Sequence, residues 1–259
     1  MSVLSVRHLN KRFGGNVAVE DLSFDLEAGE LLALIGPNGA GKSTTFNMIG
    51  GQLSADSGSV ALHGMELLGK SPYRIAQSGV GRTFQITATF SSLTVRENVQ
   101  AAMLAGRRRI FGFWEPACGQ YTDEALDLLG QVGMRDQAAR PCSELAYGDV
   151  KRVELAMSLA SSPRLLLMDE PTAGMAPAER HALLALVKKL VAQRNMAVLF
   201  TEHSMDVVFT YADRVAVLAR GRLIAEGEPG YVRNHPMARE VYFGSGATFQ
   251  DMPDGTGAP

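Results

Sequence analysis

The sequence has few cysteines and little net charge, and both shortages exclude classes of protein. Cys118 and Cys142 are the only cysteines among 259 residues, too few for a disulfide-stapled secreted domain and without the spacing of a metal site. We therefore expect two free thiols in a reducing cytosol. The formal net charge is −2, so the chain lacks the basic character of proteins whose main partner is nucleic acid.

Long apolar runs are also missing. No window approaches the roughly 18 consecutive apolar residues of a membrane-spanning helix. Residues 1–15 alternate like a strand and lack the apolar core of a signal peptide. Any role at a membrane must therefore depend on a partner. What is present, 46% hydrophobic and 20% charged residues, is typical of a globular α/β protein with a sizeable core.

The most informative stretch combines a strand, a glycine loop and a helix start. Leu31–Ile35 is an unbroken apolar run, typical of a strand that is buried on both faces. The residues after it match G-x-x-x-x-G-K-[ST], a pattern whose glycines let backbone N–H groups approach a polyphosphate. The following helix adds the positive end of its dipole. We expect this loop to bind a nucleoside triphosphate through Gly36, Pro37, Asn38, Gly39, Ala40, Gly41, Lys42, Ser43 and Thr44.

Two residues of this loop have specific expected tasks. Lys42 would contact the β- and γ-phosphates, and the Ser43 hydroxyl would coordinate Mg²⁺. Glycine-rich loops also make ordinary strand-to-helix turns. The sequence Gly-Lys-Ser, in register after an apolar strand, favours the phosphate-binding interpretation.

A second apolar strand ends in two acids. The run 164–168 is followed directly by Asp169 and Glu170. Hydrolysis of ATP needs a carboxylate for the metal ion and a group that orients and deprotonates water. We expect Asp169 to hold Mg²⁺, usually through water, and Glu170 to be the general base. Two acids can also merely follow a strand, but the phosphate loop favours the catalytic interpretation.

Gln85 and His203 each stand at a predicted strand end. Gln85 closes the stretch 79–85, and His203 follows the apolar run 197–200. Ligands of open α/β sheets bind at the carboxyl ends of the strands, so both side chains are candidates for the site. Taken singly, a Gln or a His is more often structural than functional.

The rest of the chain contains weaker patterns. Alternating apolar residues in 4–6 and 22–26 predict half-buried strands of a small antiparallel sheet, joined by a glycine-ended loop over 11–15. Helical character extends over 93–160, where Thr94 and Glu97 resemble a capping box. We expect a further helix after Asp149 and a hairpin around Gly221. The segment Arg107–Trp114 is either a solvated basic loop or an aromatic docking surface.

Five ordered motifs resemble the ATP-binding cassette (ABC) ATPases. They are GPNGAGKST, Phe84-Gln85, LAYGD, LLLMDEP and Thr201-Glu202-His203, spread over roughly residues 1–244. The resemblance implies an α/β P-loop NTPase with a mostly parallel core sheet, an antiparallel β subdomain and an α-helical subdomain. The core and β subdomain would occupy about 1–88 and 161–244, and the helical subdomain about 89–160. Residues 245–259, rich in Gly, Pro, Asp and Thr, are expected to be a disordered tail.

The resemblance also implies roles for single residues. Phe13 would stack on adenine, a contact worth about 1–3 kcal/mol, unless it is a core aromatic. Gln85 would link the lobes and sense Mg²⁺ and the γ-phosphate. His203 would hydrogen-bond the γ-phosphate and help position the attacking water. The implied catalytic set is Lys42, Gln85, Glu170 and His203, and the implied Mg²⁺ set is Ser43, Gln85 and Asp169.

The family implies that two cassettes sandwich two ATP molecules, each site using the signature segment of the other chain. The usual signature is L-S-G-G-Q, and this chain departs from it at Ala146, Tyr147 and Asp149 while keeping Gly148. Ala146 cannot offer the hydroxyl that would meet the γ-phosphate, although backbone donors of the following helix remain. We therefore expect a heterodimer in which a different cassette supplies the signature opposite Lys42.

Within the family, three segments look most like the ATPase subunits of bacterial branched-chain (hydrophobic) amino-acid importers: 81–85, 145–149 and 240–244. This resemblance implies ATP and Mg²⁺ as cofactors and a peripheral position on the cytoplasmic face of the inner membrane. The implied partners are a second ABC ATPase, integral membrane permeases and, indirectly, a periplasmic solute-binding protein.

Other functions stay open from the sequence. Importers of urea, amides or aromatic compounds are close relatives, and lipopolysaccharide-export ATPases share the overall length. A soluble ABC ATPase usually carries two cassettes or a long coiled insertion, and this sequence has neither. A small-molecule kinase would need an acceptor pocket, whereas Glu170 fits activation of water better.

Overall fold

The strands of the protein form two sheets. The computed structural model describes residues 2–83, 89–106 and 121–240. In these ranges the strands are β1 (Ser2–Phe13), β2 (Asn16–Glu27), β3 (Leu31–Ile35), β4 (Ser57–Leu62), β5 (Met65–Glu66), β6 (Val80–Thr83), β7 (Leu165–Asp169), β8 (Ala197–Thr201), β9 (Arg214–Ala219) and β10 (Arg222–Gly227). One sheet has the antiparallel order β2-β1-β4-β5, and the other the order β10-β9-β3-β8-β7-β6. The second sheet is parallel except for β10, which runs antiparallel to β9.

Helices connect the strands and cover the larger sheet. They are α1 (Lys42–Ile49), α2 (Pro72–Gln77), α3 (Val95–Gly106), α4 (Thr122–Gln131), α5 (Tyr147–Leu159), α6 (Pro177–Arg194), α7 (Met205–Tyr211), α8 (Pro229–Asn234) and α9 (Pro236–Ala238). Helices α3, α4 and α5 pack on one another. In the ranges given above, no helix combines the length and the apolar character that crossing a membrane requires.

The larger sheet separates two apolar cores. Strands β3, β7 and β8 are buried at every residue, as their unbroken apolar runs predict. Successive side chains of a strand point to opposite faces. Accordingly, Leu31 and Ala33 join the core beneath α3 to α7, while Leu32 and Leu34 join the core beneath the antiparallel sheet. The predicted α/β fold class, with its antiparallel and helical portions, is confirmed.

Two local predictions need correction. The predicted loop over 11–15 is mostly strand, because β1 continues to Phe13, which pairs with Asn16 of β2. Only Gly14 and Gly15 turn the chain, and the φ angle of 58° at Gly14 is of the kind that tight hairpins need. Helix α5 begins at Tyr147, so it starts before Asp149 and includes most of the LAYGD segment.

Other predictions are confirmed or fall outside the described residues. In the capping box, the Thr94 N–H donates to Glu97 Oε2 at 2.8 Å and the Glu97 N–H donates to Thr94 Oγ1 at 3.2 Å. Cys142 is a buried free cysteine, and burial raises the pKa of its thiol. Outside the described residues lie Phe84 and Gln85, Arg107–Trp114, Cys118 and the tail 245–259.

Candidate active site

The glycine loop between β3 and α1 exposes its tip and buries its base. Residues 37–39 are exposed, whereas Gly36 and Ala40 are buried. Gly41 precedes α1 with φ at 105°, and a Cβ atom built there would lie 2.4 Å from the Ala18 carbonyl oxygen of β2. No side chain fits such an approach. Glycine at this position therefore lets the loop pack directly against the antiparallel sheet.

The turn between β9 and β10 closes on the same loop from another side. The Gly221 N–H donates to the Ala40 carbonyl at 3.0 Å, and the Glu20 N–H of β2 donates to the Gly221 carbonyl at 2.8 Å. A Cβ atom built on Gly221 would lie 2.9 Å from the Ala18 carbonyl oxygen. These backbone contacts hold the loop between the two sheets.

The first turn of α1 is the second half of the cradle. The Thr45 N–H and hydroxyl both donate to the Gly41 carbonyl at 2.9 Å, which fixes the helix start. Ser43 is exposed, and Thr44 is partly exposed beside it. A helix start of this kind points unpaired N–H groups and the positive dipole end outward, which is the arrangement that binds phosphates.

Lys42 is buried at the base of the loop. Its Nζ donates to the Gly36 carbonyl at 2.6 Å and to the Pro37 carbonyl at 3.2 Å. Burial lowers the pKa of Lys42, and the carboxylates of Glu170 and Asp169 oppose that change. Helix α1, which begins at Lys42, packs against β7, so the fold brings the loop and the end of this strand together, as predicted.

Asp169 ends β7 as a buried carboxylate with a fixed orientation. Its Oδ1 accepts a hydrogen bond from Thr201 Oγ1 at 2.7 Å, and its Oδ2 lies 4.0 Å from Arg82 Nη2. Helix α1 packs against β7, so the helix that carries Ser43 is a neighbour of this strand. An oriented carboxylate and a nearby hydroxyl are oxygen ligands of the kind that Mg²⁺ prefers.

Glu170 leaves the strand in an unusual backbone conformation. Its φ angle is 50°, in the left-handed region that residues other than glycine seldom occupy. The Glu170 N–H donates to the Thr201 carbonyl at 3.2 Å and to Thr201 Oγ1 at 3.0 Å, which holds this conformation. Backbone strain of this kind clusters at functional sites.

The Glu170 side chain pairs with the predicted histidine. Glu170 Oε1 lies 2.8 Å from His203 Nε2, and the two side chains are 28% and 46% exposed. A carboxylate beside an imidazole, both reachable from solvent, can orient and deprotonate a water molecule. The structure therefore brings together Lys42, Asp169, Glu170 and His203 from three separate segments.

The sequence pattern predicts no role for Glu202, although this residue lies inside the strand-end motif Thr201-Glu202-His203. The side chain is buried, with 3% of the residue exposed. Its Oε1 accepts from the Thr172 N–H at 2.9 Å and from Thr172 Oγ1 at 2.6 Å, and its Oε2 accepts from the His203 N–H at 3.1 Å. The one signal in the sequence was its place between Thr201 and His203.

The structure describes Phe13 but not Gln85. Phe13 lies at the end of β1 and is 49% exposed, which excludes the alternative that it is a core aromatic. Lys11 Nζ lies 5.5 Å from the centroid of its ring. An exposed ring of this kind is available for stacking on a base. Gln85 lies outside the described residues, so its role stays a prediction.

The LAYGD segment lies at the start of α5, beside the loop that follows Glu170. Ala146 is the N-cap and is exposed. Tyr147 is exposed too, and its hydroxyl donates to the Ala173 carbonyl at 3.2 Å. Lys151 Nζ lies 5.4 Å from the centroid of the Tyr147 ring. The tyrosine thus connects this helix start to the loop 171–175.

The other two signature positions are more enclosed. Gly148 is buried, and a Cβ atom built on it would lie 3.1 Å from Glu179 Oε1 in the first turn of α6. Asp149 Oδ2 accepts a hydrogen bond from Gln137 Nε2 at 3.3 Å. The segment is therefore anchored on one side and open to solvent at 146–147.

Comparison with known proteins agrees with this geometry. A profile of the ABC transporter family matches residues 19–173, a range that includes the glycine loop, the LAYGD segment and both acids. The chain belongs to the ABC transporter family. It is an ABC ATPase that binds and hydrolyses ATP, so the family and enzyme class expected from the sequence are confirmed.

Relatives of this ABC ATPase match nearly its whole length. The high-affinity branched-chain amino acid transport ATP-binding protein LivG of Escherichia coli (strain K12) is 36% identical over 250 residues, covering 93% of this chain and 98% of LivG. The high-affinity branched-chain amino acid transport ATP-binding protein BraF of Pseudomonas aeruginosa is 36% identical over 254 residues, with the same coverage of 93% and 98%. Among solved structures, the ADP conformation of MJ1267, an ATP-binding cassette of an ABC transporter, superposes with a TM-score of 0.85 at 32% identity, covering 94% of this chain and 99% of that one.

Proposed function

We propose that this chain is the ATP-hydrolysing subunit of a membrane importer for branched-chain or other hydrophobic amino acids. The observation that carries the proposal is its 36% identity to LivG and BraF over 93% of the chain. In such a subunit, ATP binding and hydrolysis change the conformation of permeases that cross the membrane. The subunit would lie on the cytoplasmic face of the inner membrane without entering the bilayer.

The geometry of the loop and the exposure of Phe13 support the proposed nucleotide contacts. Residues 36–44 would cradle the phosphates, Lys42 would contact the β- and γ-phosphates, and the exposed ring of Phe13 would stack on adenine. Lys42 would exchange its bonds to loop carbonyls for stronger, charge-assisted bonds to phosphate oxygens.

Mg²⁺ fits the oxygen groups beside the loop. No cluster of three or more His, Cys, Asp or Glu residues that could hold a metal occurs within the described ranges. The ion would therefore be held by the Asp169 carboxylate, the Ser43 hydroxyl, phosphate oxygens and water, the usual mode for Mg²⁺ with nucleotides. Gln85 is the third proposed ligand. When bound, the ion would neutralise charge that develops on the phosphates.

The proposed hydrolysis uses Glu170 and His203. Glu170 would take a proton from the attacking water, whose oxygen bonds to the γ-phosphorus while the bond to the β–γ bridging oxygen breaks and ADP leaves. His203, 2.8 Å from the Glu170 carboxylate, would orient the water and hydrogen-bond the γ-phosphate. The two residues face solvent at the carboxyl ends of neighbouring strands, which is where the γ-phosphate would lie.

We also propose a heterodimer with a second ABC ATPase. Exposed Ala146 offers no hydroxyl to a γ-phosphate, and Tyr147 is engaged with the loop after Glu170. A partner cassette would supply the signature opposite Lys42, while the helical subdomain proposed for about 89–160 would place LAYGD at the partner's nucleotide. Robust ATP hydrolysis by the purified chain alone would contradict the heterodimer.

Co-purification with partner proteins and uptake of labelled amino acids by cells both test the transport role. A tagged chain, recovered from detergent-solubilised membranes, should co-purify with integral membrane permeases and a second ABC ATPase. Cells that carry Lys42→Ala in place of the native chain should lose uptake of labelled leucine, isoleucine and valine. Normal uptake of these amino acids, or loss only of urea, amide or aromatic-compound uptake, would overturn the substrate assignment. Recovery without any membrane protein would overturn the transport role itself.

A further inference from the structure

A buried carboxylate joins the two loops that carry the proposed catalytic pair. Glu202 lies directly after β8, and Thr172 lies in the loop after β7. Both are buried, with 3% of Glu202 and 1% of Thr172 exposed. A carboxylate in such a place is tolerated only where donors satisfy its charge. Here three donors do so, and they come from both loops.

The donors divide between the two oxygens of the carboxylate. Oε1 receives the Thr172 N–H and hydroxyl at 2.9 and 2.6 Å, and Oε2 receives the His203 N–H at 3.1 Å. Hydrogen bonds to an ionised acceptor are roughly twice as strong as neutral ones. Glu202 therefore ties the backbone of His203 to the loop after β7, and none of its three bonds involves a group expected to touch the nucleotide.

The link from Thr172 to Glu170 is short and stiff. Only Pro171 separates the two residues, and the proline ring fixes its own φ angle. On its other side, Glu170 is held by the bonds from its N–H to Thr201. The left-handed backbone of Glu170 is thus constrained from both sides, which is the condition under which a strained conformation persists.

We propose that Glu202 and Thr172 are positioning residues that fix Glu170 and His203 relative to each other for the activation of water. The inference rests on the proposed function, because it takes Glu170 as the base and His203 as its partner. Neither Glu202 nor Thr172 is a catalytic residue, since each acts through the loop that it holds.

The chain contains a matched control for this pair. In the capping box before α3, Glu97 Oε2 accepts from the Thr94 N–H and from Thr94 Oγ1, both at 2.8 Å. The chemistry is the same as that of Thr172 with Glu202, but the pair lies at the start of α3 and joins neither the loop after β7 nor the loop after β8. Equivalent substitutions at the two places separate a general loss of hydrogen bonds from a loss of positioning.

The test compares four variants with the native chain in the assembly purified with its partner subunits. Glu202→Gln and Thr172→Val should each lower kcat about 10- to 100-fold, the usual effect of removing a group that orients a functional side chain. The KM for ATP and the affinity for a fluorescent ATP analogue should stay within about twofold, because the phosphate cradle is untouched. Glu97→Gln and Thr94→Val should leave kcat unchanged.

Thr172→Ser provides a rescue, because it keeps the hydroxyl that donates to Glu202. It should restore kcat to within about threefold of the native value. The pH profile of kcat should shift in Glu202→Gln and in Thr172→Val, whereas Thr172→Ser should keep the native profile, since the profile reports groups of the bound complex.

Three results would overturn the proposal. One is a native kcat in Glu202→Gln or in Thr172→Val. The second is an equal fall in kcat and nucleotide affinity, which would make the pair a structural support. The third is failure of Thr172→Ser to rescue. The variant Glu170→Gln separates this proposal from the one on which it rests. If Glu170→Gln hydrolyses ATP at the native rate, Glu170 is not the base and the proposed function fails. If Glu170→Gln is impaired but Glu202→Gln has the native kcat, only the positioning role of Glu202 is refuted.

Discussion

The two parts of the chain expected to face nucleotide differ in how they are bonded. At the carboxyl ends of β7 and β8, the side chains of Asp169, Glu170 and Glu202 all bond to the opposite strand or its loop. At the start of α5, Ala146 and Tyr147 are exposed, and the tyrosine bonds to the Ala173 carbonyl. The first region is organised within one chain, whereas the second presents its surface outward. This contrast supports a cradle that belongs to the chain itself and a signature that serves a neighbour.

Removal of the proposed base should have the largest effect, and it tests whether the ends of β7 and β8 form the catalytic region. Glu170→Gln should bind ATP normally and hydrolyse it about 10²- to 10⁴-fold more slowly, the usual contribution of a general base. Phosphate release and binding of a fluorescent ATP analogue measure the two effects. Glu97→Gln, the surface control in the capping box, should hydrolyse at the native rate. Near-normal turnover by Glu170→Gln would place the base elsewhere.

Removal of the loop lysine tests whether the cradle works within one chain. Lys42→Ala should weaken ATP binding by about 10²- to 10⁴-fold, because two bonds to charged groups at about 1.5–3 kcal/mol each are lost. Calorimetric titration of the purified chain measures the affinity. Lys188→Ala, which removes a surface ion pair with Asp213, should bind ATP as the native chain does. Unchanged affinity in Lys42→Ala would refute the phosphate cradle.

Phe13 tests how far the site extends into the antiparallel sheet. Phe13→Ala should weaken ATP binding by about 1–3 kcal/mol, roughly 5- to 150-fold, because a base loses its stacking surface. Phe13→Tyr should stay within about threefold of the native affinity. Phe90 is a matched control, since it is also an exposed phenylalanine, and Phe90→Ala should not change the affinity. Equal affinities in Phe13→Ala and the native chain would remove the adenine contact.

The smallest expected effect concerns the tyrosine of the signature segment. Tyr147→Phe removes one hydrogen bond to the Ala173 carbonyl, which should lower the free energy of unfolding by about 0.5–1.5 kcal/mol. The corresponding fall in Tm is a few degrees, measurable by calorimetry. ATP affinity of the isolated chain should not change, since the segment is proposed to serve the partner's nucleotide. A loss of ATP affinity in Tyr147→Phe would mean that the signature segment serves the nucleotide site of its own chain, which would contradict the division into two separate regions.

Local sequence patterns predict most of the fold and the centre of the candidate site. The strand Leu31–Ile35 could be predicted with its observed bounds, and the strand Leu165–Asp169 one residue early at 164–168, because strands buried on both faces are continuously apolar. The glycine loop could be predicted because its spacing is itself the requirement for phosphate contact. Each of these features depends on residues that are adjacent in the chain, so a short stretch of sequence is enough to predict it.

The unpredicted contacts join residues that are far apart in the chain. Thr172 meets Glu202, and Tyr147 meets Ala173, only after β7, β8 and α5 have packed. The exposure of Phe13 likewise depends on how far the β1–β2 hairpin extends, which the pairing of Phe13 with Asn16 decides. The early start of α5 was missed because Tyr147 and Gly148 are weak helix formers, and tertiary packing overrides that preference.

The close packing of Gly41 and Gly221 on the Ala18 carbonyl has a consequence for the opening motions of the protein. Because the glycine loop is wedged between the β2 backbone and the β9–β10 turn, it cannot loosen unless one sheet parts from the other. We therefore expect the amide protons of Gly221 and Glu20 to exchange with solvent deuterium as slowly as those in the centres of strands, even though the tip of the loop is exposed to solvent.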